Sequence, residues 1–157
     1  MRKTNVNASL YRLIYCSRNV IANAMPGAAV DDELRAILAI ARRRNTADNV
    51  TGALLFTASG FAQVLEGPRE TVELTFERII TDPRHADVTI LSFTPAERRS
   101  FPDWSMAFTA QVAKDRPDPL EHLLADATFT GPRATTGSDV LRLLEKVVQR
   151  EDEWIAA

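Results

Sequence analysis

Residues 51–67, TGALLFTASGFAQVLEG, constrain the chain most, because they set two extended segments side by side. Thr51–Thr57 and Phe61–Glu66 are strand-like runs flanking Ala58-Ser59-Gly60, which reads as a β-hairpin with a short loop. Side chains alternate across a strand, so Phe61, Gln63 and Leu65 share one face and Ala62, Val64 and Glu66 the other. Gln63 therefore falls where a sheet ordinarily places an apolar group. A buried amide left without partners costs about 1–3 kcal/mol. Its surroundings must supply a donor and an acceptor, from neighbouring backbone or from a bound heterocycle that carries both.

Upstream, Leu10–Ser17 reads as a first strand, with Tyr11, Leu13 and Tyr15 on one face and Leu10, Arg12, Ile14 and Cys16 on the other. Residues 19–30 read as a connection punctuated by Pro26-Gly27. A helix is expected from about Asp31 to Arg44, with Asp31, Asp32 and Glu33 in its first turn and three arginines in its last, as the helix dipole favours. Leu34, Ile37, Leu38 and Ala41 form its apolar stripe. Asn45 then falls just past the last turn, where asparagine suits a left-handed cap. Pro68 suits the first turn of a second helix, whose inner stripe is Val72, Phe76, Ile79 and Ile80 and which Asp82-Pro83 stops. Val88–Pro95 and Trp104–Val112 read as two further strands. The order βαββαββ predicts an α+β fold, a ferredoxin-like sandwich with two helices on one face of a five-stranded mixed or antiparallel sheet.

Beyond Ala113 the pattern changes. KDRPDP reads as a linker, Leu120–Ala127 as a short helix, and Asp139–Ile155 as an amphipathic helix with Leu141, Leu144, Val147, Val148 and Trp154 on its apolar side. Such a stripe must be buried on the domain or on a partner. Residues 8–112 are thus expected to form one domain and 113–157 a helical extension that caps, assembles or relays. A net charge of −2 excludes the strong field that gathers nucleic acid or an anionic membrane. The single cysteine, Cys16, excludes an internal disulfide and a cysteine-based metal site, and His85 and His122 lack metal-ligand spacing. No apolar stretch reaches the ~20 residues a bilayer span needs, and the N-terminus lacks a signal-peptide core. A cytoplasmic location is expected.

Four polar or redox-capable positions stand out in apolar context: Tyr15, Asn45, Gln63 and the pair Arg84-His85. Two helices lying over one sheet face would leave a slot between Ile37 and Ile79. An aliphatic slot ringed by amides suits a flat ring with polar edges. Singly, each has a plainer explanation: a core tyrosine, a helix cap, a structural histidine. Gln63 is hardest to dismiss, because nothing local requires an amide there.

Together with the runs LYRLIYCSR, N-x5-TGALLF, F-x-QVLEG, DPRH and RRSFPDWSMAF, these positions give a chain that resembles the BLUF family, blue-light sensors that use a flavin. The resemblance covers residues 8 to 111. It implies that Tyr15 is the family's essential tyrosine and Gln63 its switching glutamine. It further implies that Asn45 bonds the flavin ring edge, that Ile37 and Ile79 clamp the ring, and that Arg44 is a ring-edge contact. Asp82, Arg84 and His85 correspond to the ribityl and phosphate side, and Trp104 and Met106 to the final-strand pair that relays the signal. The implied cofactor is FAD, with FMN or riboflavin tolerated.

By the same resemblance, light drives electron and proton transfer from Tyr15 through Gln63 to the flavin. The recombined state keeps rearranged hydrogen bonds and a red-shifted absorption. No substrate is turned over, so the protein is expected not to be an enzyme, and no metal is required. Output would pass through a homo-oligomer or an unidentified protein partner. Two departures from the family pattern are the long 19–30 connection and Cys16 at a position where valine is more usual. Two other readings remain at this stage: an acylphosphatase-like hydrolase using Arg18 and Asn45, disfavoured by the lack of glycine in SRNVIAN, and a flavin-free interaction module.

Overall fold

The structure, a computed structural model, describes residues 9–19, 27–57, 60–81, 85–102, 107–111 and 136–156. Its elements in chain order are β1 (Leu10–Asn19), α1 (Gly27–Asp48), β2 (Thr51–Thr57), β3 (Gly60–Pro68), α2 (Arg69–Ile80), β4 (His85–Pro95), β5 (Ala107–Gln111) and α3 (Gly137–Ala156). They form a five-stranded sheet in the order β4-β1-β3-β2-β5. The first four strands are antiparallel neighbours, and β5 runs parallel to β2. The antiparallel order β4-β1-β3-β2 is the ferredoxin-like arrangement, so the fold is α+β as the element pattern predicts.

The strand alternation read from the sequence decides how this sheet is buried. Leu13, Tyr15, Leu54, Phe56, Phe61 and Leu65 project to one face, where Leu38 of α1 and Val72 of α2 close over them. Ile14, Leu55, Ala62 and Val64 project to the other, where Phe101 and the α3 residues Val140 and Leu144 cover them. Covering on both faces accounts for the near-continuous apolar character of β2 and β3. Close strand packing fixes Gly52, since a Cβ there would lie 1.9 Å from the Val64 carbonyl oxygen.

Element boundaries depart from expectation at several ends; β1 runs on to Asn19 and β3 spans Gly60–Pro68. Helix α1 begins at Gly27 and ends at Asp48, longer at both ends than Asp31–Arg44, because Ala28 and Ala29 are strong helix formers and Thr46 folds back onto the Arg42 carbonyl at 2.8 Å. Neither the acidic first turn nor the basic last turn survives this extension. Asn45 consequently lies inside α1, and Asn49 (φ 60°) takes the left-handed position after it. Pro68 is the N-cap of α2 rather than a first-turn residue. Strand β4 starts at His85, three residues before Val88.

Helix α3 starts at Gly137 and is capped reciprocally: the Thr136 N–H donates to Asp139 Oδ2 at 2.9 Å and the Asp139 N–H to Thr136 Oγ1 at 3.2 Å. Its buried residues are Val140 and Leu144, with Leu141 and Leu143 half-buried. This part of α3 rests on the sheet face opposite α1 and α2 through Val140, which the expected stripe omitted, and Leu144, which it included; the side chains of Val147, Val148 and Trp154 lie outside the described residues. The expected short helix at Leu120–Ala127 and the linker before it lie outside the described residues. Among the described residues no helix is long and apolar enough to cross a membrane.

Candidate functional site: a cavity between two helices and the sheet

Tyr15 and Gln63 are direct cross-strand partners of β1 and β3. Opposed side chains in such a ladder stand about 5 Å apart at Cβ, so the pairing brings phenol and amide together. The Tyr15 hydroxyl donates to Gln63 Oε1. Both groups are sequestered, Tyr15 fully and Gln63 to all but 6%. The Phe76 ring leans on Tyr15 with centroids 5.5 Å apart and a 59° tilt, holding the phenol in place.

A cavity of about 290 Å³ opens above this pair, between α1 and α2. Helix α1 contributes Ile37, Arg44 and Asn45, and α2 contributes Ile79. Six sequence-derived candidates, Tyr15, Ile37, Arg44, Asn45, Gln63 and Ile79, thus line one space. Asn45, in the last turn of α1, is buried and lines the cavity. Its backbone carbonyl accepts the Val50 N–H at 2.8 Å, which fixes the turn from α1 into β2. His85 opens β4 opposite Asn19. Asp82, Arg84, Trp104 and Met106 lie outside the described residues.

Sequence reasoning missed Thr75 and Arg78, which also line the cavity. Thr75 precedes Ile79 by one helical turn and therefore shares its face, a signal available in the sequence. Arg78 lies near Asp48 of α1, with Nη1 and Oδ2 3.6 Å apart, and brings a cation to the rim. A second omission is Glu66, a fully buried carboxylate on the opposite sheet face.

The lining is suited to a flat heteroaromatic ring. Aliphatic side chains of Ile37 and Ile79 supply apolar walls, while Asn45 and Gln63 supply amide donors and acceptors at the edge. Arg18, by contrast, is 68% exposed and pairs with Asp87 at 3.1 Å, and it does not line the cavity with Asn45. The hydrolase arrangement is therefore not assembled. Cys16 is buried, and burial pushes its thiol up to about 11, which keeps it protonated near neutral pH. Among the described residues no cluster of His, Cys, Asp or Glu could hold a metal ion.

The family model for BLUF, sensors of blue-light using FAD, matches residues 10–107. The chain belongs to the BLUF family. Over 115 residues this BLUF chain is 35% identical to the photoactivated adenylate cyclase subunit beta of Euglena gracilis, which covers 71% of the chain and 13% of that protein. It is 36% identical over 102 residues to the blue light- and temperature-regulated antirepressor BluF of Escherichia coli K12, covering 62% of the chain and 25% of that protein. The chain thus spans a minor part of these relatives. Small BLUF structures match it nearly whole. The dark-state structure of BlrB aligns with TM-score 0.63 and 30% identity over 89% of this chain and 98% of that one. The photo-activated state of BlsA aligns with TM-score 0.67 and 26% identity over 87% and 94%. The family is one of blue-light sensors that use FAD.

Proposed function

We propose that the cavity holds the ring system of FAD between Ile37 and Ile79, and that Tyr15 and Gln63 are the photochemical pair. The observation that carries this reading is the Tyr15 hydroxyl donating to Gln63 Oε1 at the cavity wall. The volume of about 290 Å³ suits a fused ring system, and the family pattern assigns Asp82, Arg84 and His85 to the ribityl and phosphate part of the dinucleotide. Asn45 bonds the ring edge, and Arg44 stands beside it.

When bound, the flavin supplies an excited state that oxidises a nearby phenol. Tyr15 is the donor: its ring gives up an electron and its hydroxyl the accompanying proton. Gln63 holds that hydroxyl through Oε1 and is the bridge along which the proton leaves. Electron and proton then return to Tyr15, so no net oxidation remains. The Gln63 carboxamide, with its two donor hydrogens and one acceptor oxygen, is left with rearranged hydrogen bonds, by rotation or by tautomerisation. Burial prolongs the new arrangement, because the amide has no bulk water to re-equilibrate with.

Residues 8–112 act as the sensor and 113–157 as the extension that carries the change outward, with Trp104 and Met106 on the relay. The protein turns over no substrate. It works in the cytoplasm through its own oligomer state or a separate protein partner. An absorption spectrum before and after blue light tests the core of the reading. Purified protein is expected to be yellow and to shift reversibly to the red; a colourless protein, or a yellow one whose spectrum does not move, sinks it.

A further inference from the structure

We propose that Glu66 and Arg12 form a latch that couples the Gln63 strand to α3 through the β4–β5 connection. This inference rests on the sensor reading above and adds a route from the pocket to the opposite sheet face. Two cross-strand pairs of the same β1–β3 ladder carry it: Tyr15 faces Gln63, and three residues along, Arg12 faces Glu66. Three residues of strand span ~10 Å and reverse the face. The first pair thus meets the cavity and the second the side on which α3 rests.

The Glu66 carboxylate is fully buried and gathers donors from three residues. Arg12 Nε donates to Oε2 at 2.8 Å, the Ser100 N–H to both oxygens at 2.9 Å, and the Phe101 N–H to Oε1 at 3.0 Å. Arg12 spans the gap from the other side, with Nη2 donating to the Arg98 carbonyl at 2.9 Å and to Ser100 Oγ at 3.1 Å. Arg99 adds a third tie, donating from Nη1 to the Glu66 carbonyl at 3.0 Å and to Thr51 Oγ1 at 2.8 Å.

Phe101 joins this latch to the helix. Its N–H is held by Glu66, and its ring is buried in the core that contains Val140 and Leu144. A buried ion pair is a poor source of net stability compared with apolar packing. Here it fixes a loop whose next residues lead into β5. A change in the hydrogen bonding of Gln63 displaces β3 against β1, and the Arg12–Glu66 pair on the same ladder passes that displacement to residues 98–101 and so to α3. Glu66 acts as a positioning residue, not as part of the photochemistry.

Hydrogen exchange on the full chain with its flavin, in the dark and under blue light, tests the latch. In the unsubstituted protein, light is expected to change exchange in 96–102 and 137–146. Glu66→Gln keeps an acceptor oxygen and removes the charge paired with Arg12. Its dark exchange at Ser100 and Phe101 should rise on the order of tenfold, its red shift should still form, and its light-induced change in 137–146 should vanish. A purely structural clamp also raises dark exchange but leaves the light-induced change intact, and that result overturns the proposal. Arg12→Lys, which keeps the charge and loses the forked contact, should weaken the light-induced change in the same segment.

Loss of the red shift in either variant overturns the latch by placing Glu66 in the photochemistry. Two colourless variants also overturn it, since the pair would then serve the pocket itself. If the unsubstituted protein shows no red shift, the sensor reading fails and this one with it. If it shifts while 137–146 stays unchanged, the latch alone fails.

Discussion

Gln63 can be read as a satisfied core amide or a ligand-facing one, and its place in the cavity wall supports the second reading. A core amide needs only backbone around it, whereas Gln63 holds a tyrosine hydroxyl at the edge of a cavity. Gln63→Leu removes the acceptor and both donors at nearly constant volume. Stability should fall by about 1 kcal/mol, the net worth of an ordinary hydrogen bond. The yellow colour should persist, and the red-shifted product should disappear from the light-minus-dark spectrum. Cys16 gives a prediction with the opposite sense. Burial raises its thiol to about 11, so the neutral form is favoured in the fold. The stability linked to it is complete below the ordinary thiol value of about 8.5 and is lost as pH rises through about 11. Thiol labelling at pH 8 should therefore be slow in the native protein and fast in denaturant; rapid native labelling would contradict the burial. Periodicity assigned Tyr15, Gln63, Ile37 and Ile79 to their faces, and the resemblance to the BLUF family supplied the roles proposed for them. Glu66 was not legible, because alternation gives its face but not what covers that face. Only the return of residues 98–101 over that face makes its burial intelligible.

At the scale of elements, the strands were easier to read than the helix ends. Alternation in β1 and β3 is a strict period-two signal, and both strands divide between the two cores as it requires. Helix α1 overran its expected ends because charge at a helix terminus is a weak preference, worth a few tenths of a kcal/mol to about 1, against Ala28 and Ala29 at one end and the Thr46–Arg42 hydrogen bond at the other. That overrun matters to the site, since it turns Asn45 from a cap into a buried wall residue. Helix α3 depends on two features that can be tested separately. Leu144 is completely buried against the sheet, so Leu144→Ala should cost about 2–5 kcal/mol, read as a lower urea midpoint with the native absorption spectrum unchanged. Asp139 is held below the usual carboxylate range, chiefly by the Thr136 backbone N–H. Its contribution is present above the ordinary aspartate value of about 3.9 and is lost as pH falls through the depressed folded value. Relative to the intrinsic exchange rate at each pH, amide protection at the start of α3 should fall under that acidification in the native chain and stay level in Asp139→Asn.

For the whole molecule, the decisive property is that the sheet has two working faces. One carries the cavity beneath α1 and α2, and the other is closed by Phe101 and α3. The reverse face without its helix would present Ile14, Leu55, Ala62 and Val64 to water, a contiguous apolar surface of the kind that drives association. Ending the chain after Ala113 removes α3 and leaves every described wall residue of the cavity in place. The shortened protein should therefore still be yellow and still shift to the red under blue light. Its association should no longer depend on light, because the apolar face is uncovered in both states. Size-exclusion chromatography in darkness and under illumination reads this directly. An oligomer of equal size in both conditions is the expected result. A shortened chain that is monomeric in the dark and assembles only in light would mean that α3 neither covers that face nor carries the output.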